Sequence, residues 1–223
     1  MVEKLDIFIG YDRAETVAYH VAVQSLIEYC SIPFTVTPLV RNSLPVGERD
    51  AKASTDFADT RFLVPYLCDY KGWGLFIDCD EMFTTDPNEL WDLRDDKYSV
   101  MCRKHVHRPE EERKFLNQPQ YKYQYKNWSS CMLFNNEKCK VLTPAFLNAT
   151  PGLDLHQFKW LSSMDEIGEI PEGWNHLVDV DYAENYPKLL HWTKGTPCFR
   201  EYHYAPYSRE WKEMLQKVTS MRS

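Results

Sequence analysis

Two acid pairs of the form D-x-D stand in this chain, Asp78-Cys79-Asp80 and Asp179-Val180-Asp181. At its Asp content about one such match is expected by chance, so context must separate them. The first pair follows the apolar run Leu75-Phe76-Ile77 and precedes Met82-Phe83. Carboxylates delivered by a buried strand to the edge of a sheet repel each other and lose hydration, so they need a cation or a shifted pKa. A hard divalent ion with oxygen ligands, Mg²⁺ or Mn²⁺, meets that need and typically bridges to a diphosphate. The alternative is helix capping or a solvated turn. The second pair lies among Asp179, Asp181, Glu184 and Asn185 before Pro187 and reads as a solvated loop.

The elements that position these acids can be read from periodicity. Residues 5–10 (LDIFIG) are a short, apolar, β-rich run closed by a glycine, which predicts a core strand. From Arg13 to Tyr29, Val17, Val21, Leu26 and Ile27, with Ala18 and Ala22, space out a helical apolar face. Residues 34–40 predict a second strand, with Pro38 marking an edge or irregular position. This strand–helix–strand opening argues for a parallel sheet. Residues 42–52 read as loop. A helix is expected over 54–67, capped by Ser54 or Thr55 and interrupted near its end by Pro65. Residues 74–78 form the central strand that carries Asp78, followed by a short helix capped by Asp86 with Pro87 at its first position. Further strands are expected at 97–102, 129–135 and 187–192, a two-piece helix around Pro144, and an amphipathic helix over 208–218. The charged, tyrosine-rich stretch 103–126 shows little periodicity and reads as a loop on the acceptor side.

The totals fit one α/β domain spanning residues 1–223, with no repeat, low-complexity segment or linker. A hydrophobic fraction of 43% is enough to build a core. No run approaches the roughly 20 apolar residues of a membrane span, and the opening residues do not resemble a signal peptide, so a cytoplasmic protein without stable membrane insertion is expected. The seven cysteines are scattered and lack any C-x-x-C, which predicts reduced and mostly buried thiols rather than disulfides or zinc ligands. A net charge of −7 disfavours global attraction to nucleic acid or anionic lipid.

Three segments in order, ADTRFLVPYLCDYKGWGLFIDCDEMF (58–83), KNWSSCMLFN (126–135) and LLHWTKGTPCF (189–199), resemble GT-A glycosyltransferases of the family 8 type, which includes glycogenin and lipooligosaccharide galactosyltransferases. The resemblance covers most of residues 5–199. It implies a single GT-A, Rossmann-like domain with a mostly parallel central sheet flanked by helices. It also implies retaining transfer of a hexosyl or pentosyl group from a nucleotide-diphosphate sugar, usually linked to UDP, with Mn²⁺ (or Mg²⁺).

Carried over residue by residue, the resemblance makes Asp78 and Asp80 metal ligands, with Asp78 also near the donor's ribose, and His191 the third protein ligand. Imidazole suits Mn²⁺ better than Mg²⁺, and His191 closes an apolar strand. Gly10, Tyr11 and Asp12 fall where the nucleotide base and ribose bind; a strand-to-helix turn capped by Asp12 is the equal alternative. Arg61 is expected to reach the donor, its alternative being a surface ion pair of little energy. Lys194 and Gly195 fall near the diphosphate, in an order and spacing that depart from the family pattern. Gln157 stands where the family carries an Asp-Gln pair beside the sugar, but His156 replaces the acid. Without that carboxylate, front-side attack is the natural mechanism, with the diphosphate oxygen helping to deprotonate the acceptor and Gln157 steadying the sugar beside Asp80. Asn127, Ser129 and Ser130 are expected to touch the sugar or acceptor; Trp128, Trp160, Trp174 and Trp192 read mainly as core, with Asn175 raising the same choice.

Two rival readings remain at this level. A nucleotidyltransferase would need a glycine-rich basic loop after the first strand, where GYDRAET offers one glycine and one arginine. A non-catalytic glycan- or nucleotide-binding module would not require intact Asp78, Asp80 and His191. The acceptor is expected to be a glycan, lipid-linked or other hydroxyl compound. A basic cluster of Arg103, Lys104, His105, His107 and Arg108 raises modified DNA as an acceptor, although Glu110–Glu112 follow directly and favour a solvated charged loop.

Overall fold

Leu5–Gly10 forms β1 and pairs on both sides with parallel strands, β2 (Phe34–Leu39) and β3 (Trp73–Ile77). The computed structural model describes residues 4–48, 50, 53–106, 116 and 123–220. Apolar runs become strands here because each is buried on both faces: Leu5, Ile7, Ile9, Leu75, Phe76 and Ile77 are fully enclosed. β2 lies at the sheet edge, where Pro38 removes no ladder hydrogen bond that a neighbour needs.

Beyond β3 the sheet changes direction. In chain order β4 is Glu81–Phe83, β5 Val100–Cys102, β6 Cys131–Asn135, β7 Ile167–Glu169, β8 His176–Leu177 and β9 Leu189–His191. The central sheet runs β2-β1-β3-β6-β5-β7, with β6 antiparallel to both β3 and β5 and β7 parallel to β5. Three of its five pairings are therefore parallel, as expected of the α/β class. A second, three-stranded sheet, β4-β9-β8, continues past the acid pair.

Helices flank these sheets. Asp12 Oδ1 accepts from the Ala14 amide and opens a 3-10 turn that leads into α1 (Thr16–Tyr29). The buried stripe of α1 is Ala18, Val21, Ala22, Ser25 and Leu26, while Val17 and Ile27, expected on that face, are 42% and 61% exposed. Small residues bring α1 close to its neighbours, and the flanking large side chains are left at the margin.

The helix expected over 54–67 is instead a run of turns, a 3-10 segment (Thr60–Leu63) and a single turn of α-helix, α2 (Val64–Leu67). Pro65 lies in the first turn of α2, where its missing N–H costs nothing, rather than interrupting the end of a helix. α3 (Asn88–Trp91) follows Asp86 and Pro87, and Asp86 Oδ1 accepts from the Asn88 amide as a cap. The expected two-piece helix resolves into a 3-10 turn (Asn136–Lys138) and α4 (Pro144–Ala149), which starts at the proline and is capped by Thr143. α5 (Gly152–His156) and α6 (Ser208–Thr219) complete the chain order.

The larger core lies around the central sheet, and a second cluster joins α1, α6 and the small sheet through Val21, Met82, Leu190, Trp192, Trp211 and Met214. Cys79, Cys102, Cys131 and Cys139 are buried thiols and Cys198 is exposed.

Candidate functional site

The acid pair sits where the two sheets meet. β3 ends at Ile77, Asp78 donates its amide to the Ser130 carbonyl (2.9 Å), and the chain turns through Asp80 into β4. β4 pairs antiparallel with β9, Glu81 opposite His191, so the end of β9 is laid alongside the acids from more than a hundred residues away. His191 Nε2 stands 3.5 Å from Asp80 Oδ1, and one ligand atom each from Asp78, Asp80 and His191 lie within 4.8 Å of one another.

The orientation of the His191 ring is fixed by a neighbour. Asn175 is fully buried; its Nδ2 donates to Ser130 Oγ (2.8 Å) and to the Asn127 carbonyl (3.2 Å). Because a carbonyl only accepts, the amide nitrogen must face that way, and Oδ1 is left to accept from His191 Nδ1 (2.8 Å). Nδ1 thus carries a proton, and Nε2 faces the Asp80 carboxylate. An oxygen and a ring nitrogen 3.5 Å apart stand close enough to serve as ligands of one cation. The donor set, two carboxylate oxygens and one imidazole, suits a small divalent ion.

Charge around the triad is managed by two further residues. Arg61 is buried; its Nη1 reaches Asp78 Oδ1 (2.8 Å) and donates to the Ser129 carbonyl (2.7 Å), and its guanidinium stacks between the Phe57 and Phe76 rings at 5.2 and 5.0 Å. This is an enclosed clamp on a candidate ligand, not the surface ion pair weighed from sequence. Glu81 is also buried, and neither carboxylate oxygen has a hydrogen-bond partner among the described residues. Burial first, then the charges of Asp78 and Asp80, push its pKa well above the ordinary carboxylate range; its Oε1 lies 3.7 Å from His191 Nδ1.

Most of these groups line one polar cleft. Asp78, Asp80, Arg61 and His191 all line it, as do Asn127, Ser129 and Ser130. Other expected residues are placed elsewhere. Gly10 lies outside the cleft, and a Cβ there would come within 2.3 Å of the Phe57 ring, so the glycine admits that ring to the core. Tyr11 lies outside as well, its hydroxyl against Thr16 Oγ1 (3.1 Å) and its ring edge-on to Tyr19. Both carboxylate oxygens of Asp12 accept from backbone, Oδ1 from Ala14 and Oδ2 from Asp56 (2.9 Å), so it caps a turn and anchors the cleft-wall loop. The cap reading is the one the geometry carries.

Lys194 is half-buried in a turn that Gly195 closes by donating its amide to the Trp192 carbonyl (2.8 Å); Thr193, rather than either of them, lines the cleft. Gln157 follows α5 and lines a second, open groove with Gln124, Tyr125, Phe158 and Met164. His156, one residue earlier, is the α5 side chain that lines the cleft. Glu15 and Lys126 also line it, and nothing in their sequence setting distinguishes them from ordinary helix-start and loop residues.

Trp160, Trp174 and Trp192 are buried core residues; Trp128 is half-buried and donates Nε1–H to the His105 carbonyl (2.8 Å). Asp181 Oδ2 accepts from the Leu177 amide, and Asp179 is exposed at φ 65°, so the second acid pair is a turn. Of the basic cluster, Arg103 and the Lys104 amide engage Glu169 and His105 faces Asp181; His107, Arg108 and Glu110–Glu112 lie outside the described residues, as does much of 103–126.

The chain is 39% identical over 224 residues to Protein CDI of Arabidopsis thaliana, an alignment that covers 95% of this chain and 86% of that one. No family model matches it. Among solved structures, an active-site mutant of LgtC superposes with a TM-score of 0.66 at 13% identity, covering 98% of both chains. The galactosyltransferase LgtC in complex with donor and acceptor sugar analogs gives 0.61 at the same identity and coverage. The bifunctional glycosyltransferase WbbM gives 0.60 at 12% identity over 95% of this chain, which spans about half (51%) of that protein. The fold is that of the GT-A glycosyltransferases.

Proposed function

Because the chain belongs to the family of Arabidopsis thaliana Protein CDI and has the GT-A fold, we propose that it is a metal-dependent glycosyltransferase. In this reading it moves a hexosyl or pentosyl group from a nucleotide-diphosphate sugar, a UDP-sugar in the first instance, to a hydroxyl of a glycan, lipid-linked or other acceptor. The observation that carries the proposal is the convergence of Asp78, Asp80 and His191 within 4.8 Å in a polar cleft. A non-catalytic binding module would have no need of an imidazole held by a buried amide and aimed at a carboxylate.

When bound, a divalent cation, Mn²⁺ in our reading and Mg²⁺ as its alternative, supplies positive charge to the departing diphosphate. Asp78, Asp80 and His191 would hold it. Arg61 keeps Asp78 in place and adds a fixed positive charge to the same wall, so that charge developing on the leaving group meets a preorganised field. Transfer proceeds with retention by front-side attack, the diphosphate oxygen taking the acceptor's proton. Gln157 keeps the role of steadying the reacting sugar in this reading. Buried thiols that pack as apolar side chains support the cytoplasm as its place of work, and among the described residues no helix is long and apolar enough to cross a membrane.

The test is a screen of UDP-, GDP- and ADP-sugars for hydrolysis and thermal stabilisation with Mn²⁺. A donor at a hundredfold excess over its Kd stabilises by about 2.7 kcal/mol, roughly 5–11 °C in Tm for a chain of this size. One nucleotide class should give that shift with Mn²⁺ and lose it with EDTA. A chain that neither binds nor hydrolyses any of them is not a transferase of this kind.

A further inference from the structure

Within that transferase reading, and resting on it, we propose that Lys126 is the side chain that binds the outer phosphate of the donor's diphosphate and meets the charge left there as the sugar departs. The sequence resemblance places this charge on Lys194, but Lys194 lies in a turn outside the cleft, whereas Lys126 lines it. Arg61 and Lys126 are the only Arg or Lys among the described lining residues. Arg61 divides the cleft: Nε donates to the Ala58 carbonyl (3.1 Å) on one wall, and Nη1 to the Ser129 carbonyl (2.7 Å) on the other. Lys126 belongs with Ser129. Its Nζ stands 5.2 Å from the centre of the Tyr123 ring, that ring packs beside His156 (6.1 Å), and His156 Nδ1 is hydrogen-bonded to Ser129 Oγ (2.7 Å). The acid Glu15 belongs with Ala58, because its amide donates to the Asp12 carbonyl (3.0 Å) and Asp12 Oδ2 holds the Asp56 amide (2.9 Å).

Charge complementarity asks for this lysine. A divalent ion shared by two carboxylates is neutral in sum, and the Arg61 guanidinium already faces Asp78 (2.8 Å). The diphosphate of a sugar nucleotide is a dianion. On transfer the bond from the sugar carbon to the outer phosphate's oxygen breaks, and its electron pair stays on that oxygen until the acceptor's proton reaches it; the acceptor oxygen bonds to the same carbon. Arg61, stacked between Phe57 and Phe76, cannot follow that oxygen. An ammonium on a flexible stem, with three rotatable donors, can. The lysine's backbone is nevertheless fixed. Tyr125 and Asn127, both left-handed at φ 66°, flank it; Tyr125 packs on the Trp128 ring (4.5 Å), and the Asn127 carbonyl accepts from Ser130 Oγ (2.7 Å) and Asn175 Nδ2 (3.2 Å). Asn175 Oδ1 in turn accepts from His191 Nδ1 (2.8 Å), so one buried amide sets both the lysine's backbone and the third candidate metal ligand.

The outer phosphate is what separates a nucleoside diphosphate from its monophosphate, so the two together isolate the contact. Binding of UDP, GDP and ADP, and of UMP, GMP and AMP, is measured by calorimetry in Mn²⁺ on wild type, Lys126→Met, Lys126→Arg and Lys194→Met, with Lys126→Gln as a second neutral variant should Lys126→Met not fold. For the diphosphate that wild type binds tightest, Lys126→Met should weaken binding about tenfold or more, the loss expected for a hydrogen bond to a charged group. The matching monophosphate should stay within about twofold of wild type, and Lys126→Arg, which keeps the charge, should recover most of the loss. The proposal is overturned if diphosphate and monophosphate weaken alike, if neither weakens, or if Lys194→Met weakens the diphosphate as much as Lys126→Met does. Failure of wild type to bind any of the three diphosphates with Mn²⁺ would instead overturn the transferase reading, and this inference with it.

Discussion

Asn175 shows how much of a site can depend on a residue that need never touch a ligand. It has no exposed surface, adopts a left-handed φ of 51°, and spends its amide on Ser130, Asn127 and His191. Glu81 Oε1 lies 3.7 Å from the same Nδ1, too far to take that hydrogen bond from Asn175. Partners of this kind typically set metal affinity by 10- to 100-fold. Asn175→Ala should therefore weaken Mn²⁺ binding by about that factor in a calorimetric titration, and leave buried groups unsatisfied at about 1–3 kcal/mol of stability each. Asn175→Ala with unchanged Mn²⁺ affinity would reduce the residue to packing. At this scale the sequence was informative about residue type and blind to phase. Asp78, Asp80 and His191 were readable because each ends or follows an apolar run, and such runs fix where a strand stops. His156 and Gln157 were not separable, because α5 is five residues long and Phe158 follows at φ 56°, a reversal that no periodicity announces.

At the scale of elements, the small sheet holds the site together and α6 holds the small sheet. β9 carries His191 and β4 follows Asp80, and both are backed by Trp211 and Met214 of α6 through Met82 and Leu190. Trp211 is almost fully buried, so Trp211→Ala should cost about 3–5 kcal/mol, read by chemical denaturation. It should also loosen Mn²⁺ binding, because the facing of His191 and Asp80 depends on the register of β4 on β9. Destabilisation with full Mn²⁺ affinity would show that the strands keep register without α6. Long apolar runs (β1, β3, β6) and the amphipathic α6 were legible for the same reason: burial dictates their pattern. β7 and β8 were missed because each sets one apolar residue beside polar ones or glycine, whereas the comparably short β5 and β9 carry adjacent apolar residues (Val100-Met101, Leu189-Leu190). β4 carries such a pair, Met82-Phe83, but no glycine or proline separates it from β3 to mark a second strand. The 54–67 segment misled because an apolar run with a cap residue looks helical, whereas its backbone is committed to the cleft wall, with Asp56 held by Asp12 through its amide and by Arg41 through its carbonyl (2.9 Å each).

Over the whole molecule, the acid pair that opened the question lies at the junction of two sheets, where a parallel strand end, a turn and a distant strand come together. The central sheet supplies Asp78, the turn supplies Asp80 and the small sheet supplies His191, so folding of the entire chain is what assembles the triad. That also explains why the acids alone were ambiguous in sequence: their meaning rests on an imidazole 111 positions beyond Asp80. The central claim is that these three side chains share one divalent ion. Mn²⁺ titration followed by electron paramagnetic resonance, on wild type and on Asp80→Asn and His191→Ala, tests it directly. A single tight site per chain that is lost or weakened at least tenfold in both variants is the predicted result; tight Mn²⁺ binding that survives removal of either side chain would contradict it.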